Sequence, residues 1–220
     1  GEPNMLLAEA GTGIGKTLGY LAPASLWALE ADGTVWISTY TKALQRQLVS
    51  EARRVYPDAQ AFKTKVVVRK GRENYLCLLN LEDALQGGFA GRAAILAHLV
   101  ARWAAFTADG DMIGGDIPGW LPTLFRRNGS TALTDRRGEC IYAGCPHYRK
   151  CFIDRAARSS AQADIVIANH ALMMVNAARG REEANRPTRI IFDEGHHLFD
   201  AADSTFAAAL TGSEMIEIRR

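Results

Sequence analysis

The sequence contains no long hydrophobic run and no cationic leader with a small-residue cleavage site. A membrane-spanning helix needs about 18 or more consecutive apolar residues, so no membrane span is indicated. The missing leader gives no sign of secretion. We therefore expect a cytoplasmic protein with no membrane partner. The net charge is only +2 at pH 7, which is too weak to require a nucleic-acid partner and excludes none.

Cysteine is scarce: the chain has four, and the C-x2-C pair typical of zinc knuckles is absent. Cys140, Cys145 and Cys151 follow the spacing C-x4-C-x5-C, and Cys77 lies far upstream. Because thiols stay reduced inside cells, metal or cluster ligation is favoured over disulfides. The loose spacing favours a cubane iron-sulfur cluster, with structural zinc as the alternative. His147 could replace one ligand, although a surface histidine is the more ordinary interpretation.

A glycine-rich loop near the start of the chain is the strongest motif. Residues 5–8 are apolar and predict a strand, which runs into the loop and then into a helix that Lys16 and Thr17 open. Glycines let backbone N–H groups converge on phosphates, a helix N-terminus favours negative charge, the lysine reaches the β- and γ-phosphates, and the threonine hydroxyl can bind Mg²⁺. The predicted nucleotide-binding residues are Ala10, Gly11, Thr12, Gly13, Ile14, Gly15, Lys16 and Thr17. Alanine at position 10, where the motif has glycine, is a small-for-small departure.

The remaining pattern alternates between strands and helices, except in the middle of the chain. Helices are predicted at residues 16–30, 41–55 and 171–178, and strands at 34–38, 65–69, 163–168 and 189–192. This alternation predicts a parallel sheet with right-handed crossovers. Residues 72–160 break the pattern and form a mostly helical insertion, with one helix near residues 91–107 and, we expect, little apolar core of its own.

The last predicted strand ends in Asp193 and Glu194. A carboxylate at the C-terminal end of a strand can hold Mg²⁺ through water, and a second one can orient or deprotonate an attacking water. A solvated acidic turn is the alternative interpretation of these two residues. We expect Lys16, Asp193 and Glu194 to share one pocket at one edge of the sheet.

Six segments together resemble the iron-sulfur helicases of superfamily 2, with cysteine spacing closer to the DinG branch than to the XPD branch. They occur in this order: EAGTGIGKT, STYTKALQRQL, GRENYLC, the three-cysteine cluster, ADIVIANHALM and FDEGHHLFD. Gly195 stands where alanine is commoner in the acidic motif. The resemblance covers almost the whole chain.

The resemblance implies an α/β fold: a P-loop NTPase, RecA-like lobe at residues 1–71 and 161–200, interrupted by an iron-sulfur domain at residues 72–160. Residues 201–220 would begin a further, arch-like domain. It also implies ATP-dependent, 5′ to 3′ unwinding of DNA by translocation on single strands, in repair or replication, with ATP, Mg²⁺ and a [4Fe-4S] cluster as cofactors. The chain would be an N-terminal fragment without its second helicase lobe, monomeric, and inactive as a helicase alone.

By the same resemblance, each motif residue has an implied role. Lys16 and Thr17 would bind phosphate and Mg²⁺, Asp193 the metal, and Glu194 the hydrolytic water. His196 would couple the site to later motifs. Thr39 and Thr41 would contact the DNA backbone. The cluster ligands would be Cys77, Cys140, Cys145 and Cys151.

Two other functions fit the residues. The first is a P-loop ATPase with a zinc-stapled insertion that binds nucleic acid or protein, and the second is a switch-type NTPase whose cysteines sense redox state. A basic run could line a phosphate track, with aromatic side chains offering stacking surfaces, although a solvated basic face is nearly as ordinary. The run comprises Arg126, Arg127, Arg136 and Arg137, and the aromatic residues are Trp120, Phe125 and Tyr142.

Overall fold

A four-stranded parallel sheet organises the chain, with strand order β2-β3-β1-β4. The computed structural model describes residues 4–11, 13–88, 90–121, 130–135, 140–179 and 187–207. The strands are β1 (Val35–Thr39), β2 (Val66–Val68), β3 (Ile165–Asn169) and β4 (Arg189–Phe192). The parallel α/β architecture predicted from the sequence is therefore confirmed, while an iron-sulfur insertion remains a prediction.

Eight α-helices lie in the described residues. They are α1 (Lys16–Ala31), α2 (Lys42–Val55), α3 (Ala59–Lys65), α4 (Leu78–Asp83), α5 (Arg92–Ala104), α6 (Phe152–Ala161), α7 (His170–Arg179) and α8 (Leu198–Phe206). None of these helices combines the length and the apolar character that crossing a membrane requires.

Local sequence explains where the first two helices begin and end. Helix α1 starts after Gly15, continues through Pro23 and ends at Asp32, which takes a left-handed conformation. Helix α2 is capped by the Thr41 side chain, which accepts a hydrogen bond from the Leu44 backbone N–H. Such a cap satisfies one of the unpaired N–H groups at a helix start. The predicted bounds of both helices hold to within one residue.

Hydrophobic residues bury both faces of the two central strands, β1 and β3. Leu21 and Leu48, from α1 and α2, pack on one face with Ile37 and Ile167. On the other face, Trp36 and Val166 pack with residues of α7. Near-continuous apolar strands of this kind are typical of a parallel sheet that is covered on both sides.

Residues 72–160 contain a hydrophobic core of their own, contrary to the expectation of a poorly packed insertion. Leu76, Leu96, Val100 and Leu133 are completely buried there, and Phe152 at the start of α6 packs with them. The prediction failed because the contributing residues are scattered through short helices and turns, where no single period reveals them.

The predicted strand at residues 5–8 is wrong. Met5, Leu6 and Leu7 are 86, 90 and 84% exposed and have no regular structure. A short apolar run forms a strand only when a neighbouring strand pairs with it. Helix α3 was missed as well, because its few residues have no apolar periodicity.

Two neighbouring residues of α5 provide a test of the insertion core, because one is buried in it and the other is exposed. Leu96 is completely buried, whereas Ile95 is 56% exposed. Leu96→Ala should lower the free energy of unfolding by about 2–5 kcal/mol, because it leaves a cavity in a packed interior. Ile95→Ala, the control, should change it by about 0.5 kcal/mol or less. Both values come from urea unfolding, and equal losses in the two variants would contradict the described core.

Candidate nucleotide-binding site

The glycine-rich loop leads directly into the N-terminus of α1. Gly13 and Gly15 have φ values of 77° and 82°, a conformation that costs glycine little and other residues more. Gly15 is the N-cap of α1 and, as a glycine, provides no side chain to cap it. The first N–H groups of the helix therefore have no side-chain cap, which is the arrangement that binds anions. Thr12 lies outside the described residues.

An ion pair joins this loop to the far end of the chain. The Lys16 Nζ atom lies 2.8 Å from the Glu194 Oε1 atom, and both side chains are about one-third exposed (29 and 31%). The hydrogen bond from Lys16 holds the pKa of Glu194 below its ordinary value. The same bond raises the pKa of Lys16. Both groups are therefore charged at neutral pH.

Asp193 lies beside the same pair. Its backbone N–H donates a hydrogen bond of 2.8 Å to the Ser38 carbonyl oxygen at the end of β1. Burial raises the pKa of Asp193, Glu194 adds to the rise, and Lys16 opposes it. The structure thus brings Lys16, Asp193 and Glu194 to one edge of the sheet.

Tyr20 is a site residue that the sequence did not reveal. It lies one turn after Lys16 on α1, and its hydroxyl is buried. Burial and then Asp193 raise the pKa of Tyr20, and Thr17 also interacts with the hydroxyl. The four-residue separation from Lys16 is the signal that could have identified it, because such residues share one helix face.

Glu194 occupies a strained turn. Its φ and ψ angles are 56° and 50°, the left-handed region, which costs a non-glycine residue free energy and persists only where contacts enforce it. The His197 backbone N–H donates to the Glu194 carbonyl at 3.0 Å. His196 is 66% exposed, and its Nδ1 atom lies 3.6 Å from Glu194 Oε2.

The two threonines expected to contact DNA differ in accessibility. Thr39 is completely buried, so its side chain offers no surface to a ligand in this conformation. Thr41 is exposed, and its hydroxyl caps α2. The sequence pattern does not distinguish them because strand β1 is buried on both faces to its last residue.

All four cysteines line one cavity of about 420 Å³. None forms a disulfide, and each is half-buried. Burial raises the pKa of Cys77, and Asp135 and Cys145 act in the same direction. Among the described residues, no three His, Cys, Asp or Glu side chains lie close enough to hold a single metal ion. Four thiols around one cavity are the kind of ligand set that iron-sulfur clusters and structural zinc both use.

His147 lies on the same cavity but has another partner. Its Nε2 atom is 2.7 Å from the Glu82 Oε2 atom. The Tyr142 backbone N–H donates to Cys140 Sγ at 3.3 Å, and the Arg72 guanidinium lies over the Tyr142 ring at 4.8 Å. Tyr142 is therefore held beside the cysteines by a cation.

A second cavity, of about 530 Å³, lies between α2, β2 and α6 and was not predicted. Its lining carries five cations and two carboxylates, one of which, Asp111, pairs with Lys70. The cations are Lys42, Arg46, Lys63, Lys70 and Arg155. The predicted basic run at residues 126, 127, 136 and 137 and Phe125 lie outside the described residues, and Trp120 is exposed.

Known proteins are similar to the chain along nearly all of its length. It is 34% identical over 231 residues to the ATP-dependent DNA helicase YoaA of Escherichia coli (strain K12), covering 100% of this chain and 34% of that protein. It is 34% identical over 230 residues to the ATP-dependent helicase DinG of Mycobacterium tuberculosis (strain ATCC 25618 / H37Rv), covering 96% of this chain and 34% of that protein.

A third relative carries a different name. The chain is 30% identical over 213 residues to the 3'-5' exonuclease DinG of Bacillus subtilis (strain 168), covering 95% of this chain and 22% of that protein. No family model matches the chain. The chain thus spans about a third of the length of the two helicases, and less of the exonuclease.

Proposed function

Because this chain belongs with the DinG and YoaA helicases, to which it is related along its whole length, we propose that it is the nucleotide-binding part of an ATP-dependent DNA helicase that acts in repair or replication. The 2.8 Å contact between Lys16 and Glu194 is the observation that carries this proposal. It places a phosphate-loop lysine and a carboxylate from a strand end at one site, and these are the two kinds of group that bind phosphate and position water in ATP hydrolysis.

The roles of the site residues follow from their chemistry. The first N–H groups of α1 and the Lys16 ammonium bind phosphate oxygens, which compete with Glu194 for that ammonium. Asp193 and the Thr17 hydroxyl would hold Mg²⁺, which would supply positive charge to neutralise the phosphates of the nucleotide. Glu194 then orients or deprotonates the attacking water. His196, 3.6 Å from Glu194, links this carboxylate to later parts of the protein.

The insertion at residues 72–160 is proposed to hold a [4Fe-4S] cluster. Cys77, Cys140, Cys145 and Cys151 supply the thiolates, since all four line one cavity. The separate hydrophobic core limits what the cluster stabilises: the loop around residues 140–151 depends on it, whereas α5 does not. Zinc on the same four residues is the alternative.

Single-stranded DNA is the proposed partner, with movement from 5′ to 3′. The cavity of about 530 Å³ that five cations line, the basic cavity, supports a phosphate track on the protein surface. Arg46 and Lys63 line it together with Lys42, which directly follows the exposed Thr41. Cations beside an accessible strand end attract the nucleic-acid backbone. We also propose that the chain acts as a monomer, needs a second helicase lobe for unwinding, and by itself hydrolyses ATP slowly at most.

Removal of the loop lysine tests the nucleotide site. Lys16→Ala should weaken binding of Mg-ADP about tenfold or more, because the variant cannot make a charge-assisted hydrogen bond to phosphate. The control Arg102→Ala removes one positive charge from an exposed position of α5 and should leave the affinity unchanged. Titration of a fluorescent ADP analogue measures both. Unchanged affinity in Lys16→Ala would rule out this site.

Substitution of a cysteine and of a histidine on the same cavity tests whether the cysteines bind a cluster. Anaerobically purified protein should be brown, with iron and acid-labile sulfide in equal amounts, and Cys145→Ser should lose both because a thiolate ligand is missing. His147→Gln, the control, should retain them, since His147 pairs with Glu82. Colourless wild-type protein with one zinc would support the alternative, and thiols that cycle with oxidant and bind no metal would indicate redox sensing.

The basic cavity makes a prediction about salt dependence. Arg46→Gln and Lys63→Gln together should weaken binding of an oligo-dT strand and reduce the slope of log affinity against log salt by about 0.7 for each phosphate that the protein no longer neutralises. Arg102→Gln should preserve both. Fluorescence anisotropy over a salt series provides the values. An unchanged slope in the double variant would exclude the cavity from the DNA path.

A further inference from the structure

His170, the first residue of α7, is a buried side chain to which the nucleotide site gives no role. It is 1% exposed, and its Nδ1 atom lies 2.6 Å from the Ser38 Oγ atom, which is also buried. Ser38 comes from β1, and His170 directly follows β3. A contact this short between two buried polar groups fixes the ends of neighbouring strands against each other.

The same two residues adjoin the turn that carries the carboxylates. The Ser38 carbonyl accepts the backbone N–H of Asp193 at 2.8 Å. Burial lowers the pKa of His170, and the backbone of Glu194 and Asp193 opposes this change. The His170 Nε2 atom is buried and has no hydrogen-bond partner of good geometry among the described residues. The contact with Ser38 is therefore the hydrogen bond that holds the imidazole in place among the described residues.

Aromatic contacts continue the connection from the end of β1. The rings of Tyr40 and His197 are stacked, with centroids 3.9 Å apart and planes at 11°. Tyr40 and Phe192 also lie against His170, at centroid distances of 6.2 and 6.0 Å. The residues before and after the Asp193–Glu194 turn therefore both contact residues 38–40: Phe192 pairs with Ser38, and His197 stacks on Tyr40.

This packing joins two functional regions. Thr41, the exposed residue that caps α2, immediately follows the segment. Glu194, at the other end, is in a left-handed conformation that its contacts must enforce. Ser38, Thr39 and His170 are buried, and buried side chains are close-packed, so a displacement of residues 38–39 cannot leave the turn unchanged.

We propose that His170 and Ser38 are positioning residues that couple the binding of single-stranded nucleic acid at the end of β1 to the placement of Glu194 over the nucleotide site. His170 does not contact nucleotide or DNA. It acts through Ser38 and the Asp193–Glu194 backbone. This inference rests on the proposed function, because it assigns to that site its response to nucleic acid.

The test measures ATP hydrolysis with and without oligo-dT in the full-length helicase that contains this chain. His170→Gln removes the nitrogen that faces Ser38, and Ser38→Ala removes the partner hydroxyl. Each should reduce the stimulation by DNA about fivefold or more, within the usual range for coupling between sites. The double variant should match the single variants, because both changes break one link. His98→Gln, at an exposed position of α5, is the control and should retain full stimulation.

Three further readouts separate coupling from a merely structural effect. The KM for ATP and the affinity for oligo-dT should stay close to those of the control, and the loss of stimulation should exceed what any fall in melting temperature explains. Normal stimulation in both single variants would overturn the proposal. So would additive losses in the double variant, or losses that match falls in melting temperature. A different result would show that the proposed function itself is wrong. In that case the wild-type protein would not hydrolyse ATP, or Lys16→Ala would hydrolyse it normally.

Discussion

The parallel pairing of β1 with both β3 and β4 is the constraint on which the site depends. Ser38 is in register with Ala168 on one side and Phe192 on the other. The residues that follow each strand therefore meet at one edge: Tyr40, His170 and Asp193. A slip of one residue would turn alternate side chains to the opposite face of the sheet. The sheet thus brings together residues that are far apart in the sequence, and α1 then presents Lys16 to them.

The fold and the centre of the site could largely be predicted because they depend on local pattern. Glycines followed by Lys16 require a particular backbone and helix start, whatever surrounds them. The buried strands β1 and β3 and the more exposed edge strand β4 are all apolar runs, so each was located to within two residues. Asp193 and Glu194 follow such a run, and parallel topology assigns them to the same edge as the end of β1.

The remainder depends on contacts that no local pattern contains. Apolar residues 5–7 predicted a strand, but a strand needs a partner and these side chains are exposed. Thr39 and Thr41 look equivalent in sequence, yet only the second reaches the surface. Tyr20 and His170 gain their importance from Asp193 and Ser38, which are distant in the chain. The insertion core consists of single residues from many short elements.

The separation of the insertion core from the packing on the two faces of the sheet has a consequence for motion within the described part of the chain. The insertion core is built from Leu76, Leu96, Val100 and their neighbours, and the sheet has its own buried residues on each face. Each buries its own apolar surface, so each can behave as a separate cooperative unit. Amide hydrogens of α5 would then exchange with solvent through openings that leave β1 and β3 protected. The inserted segment can open locally while the sheet keeps Lys16 and Glu194 in contact.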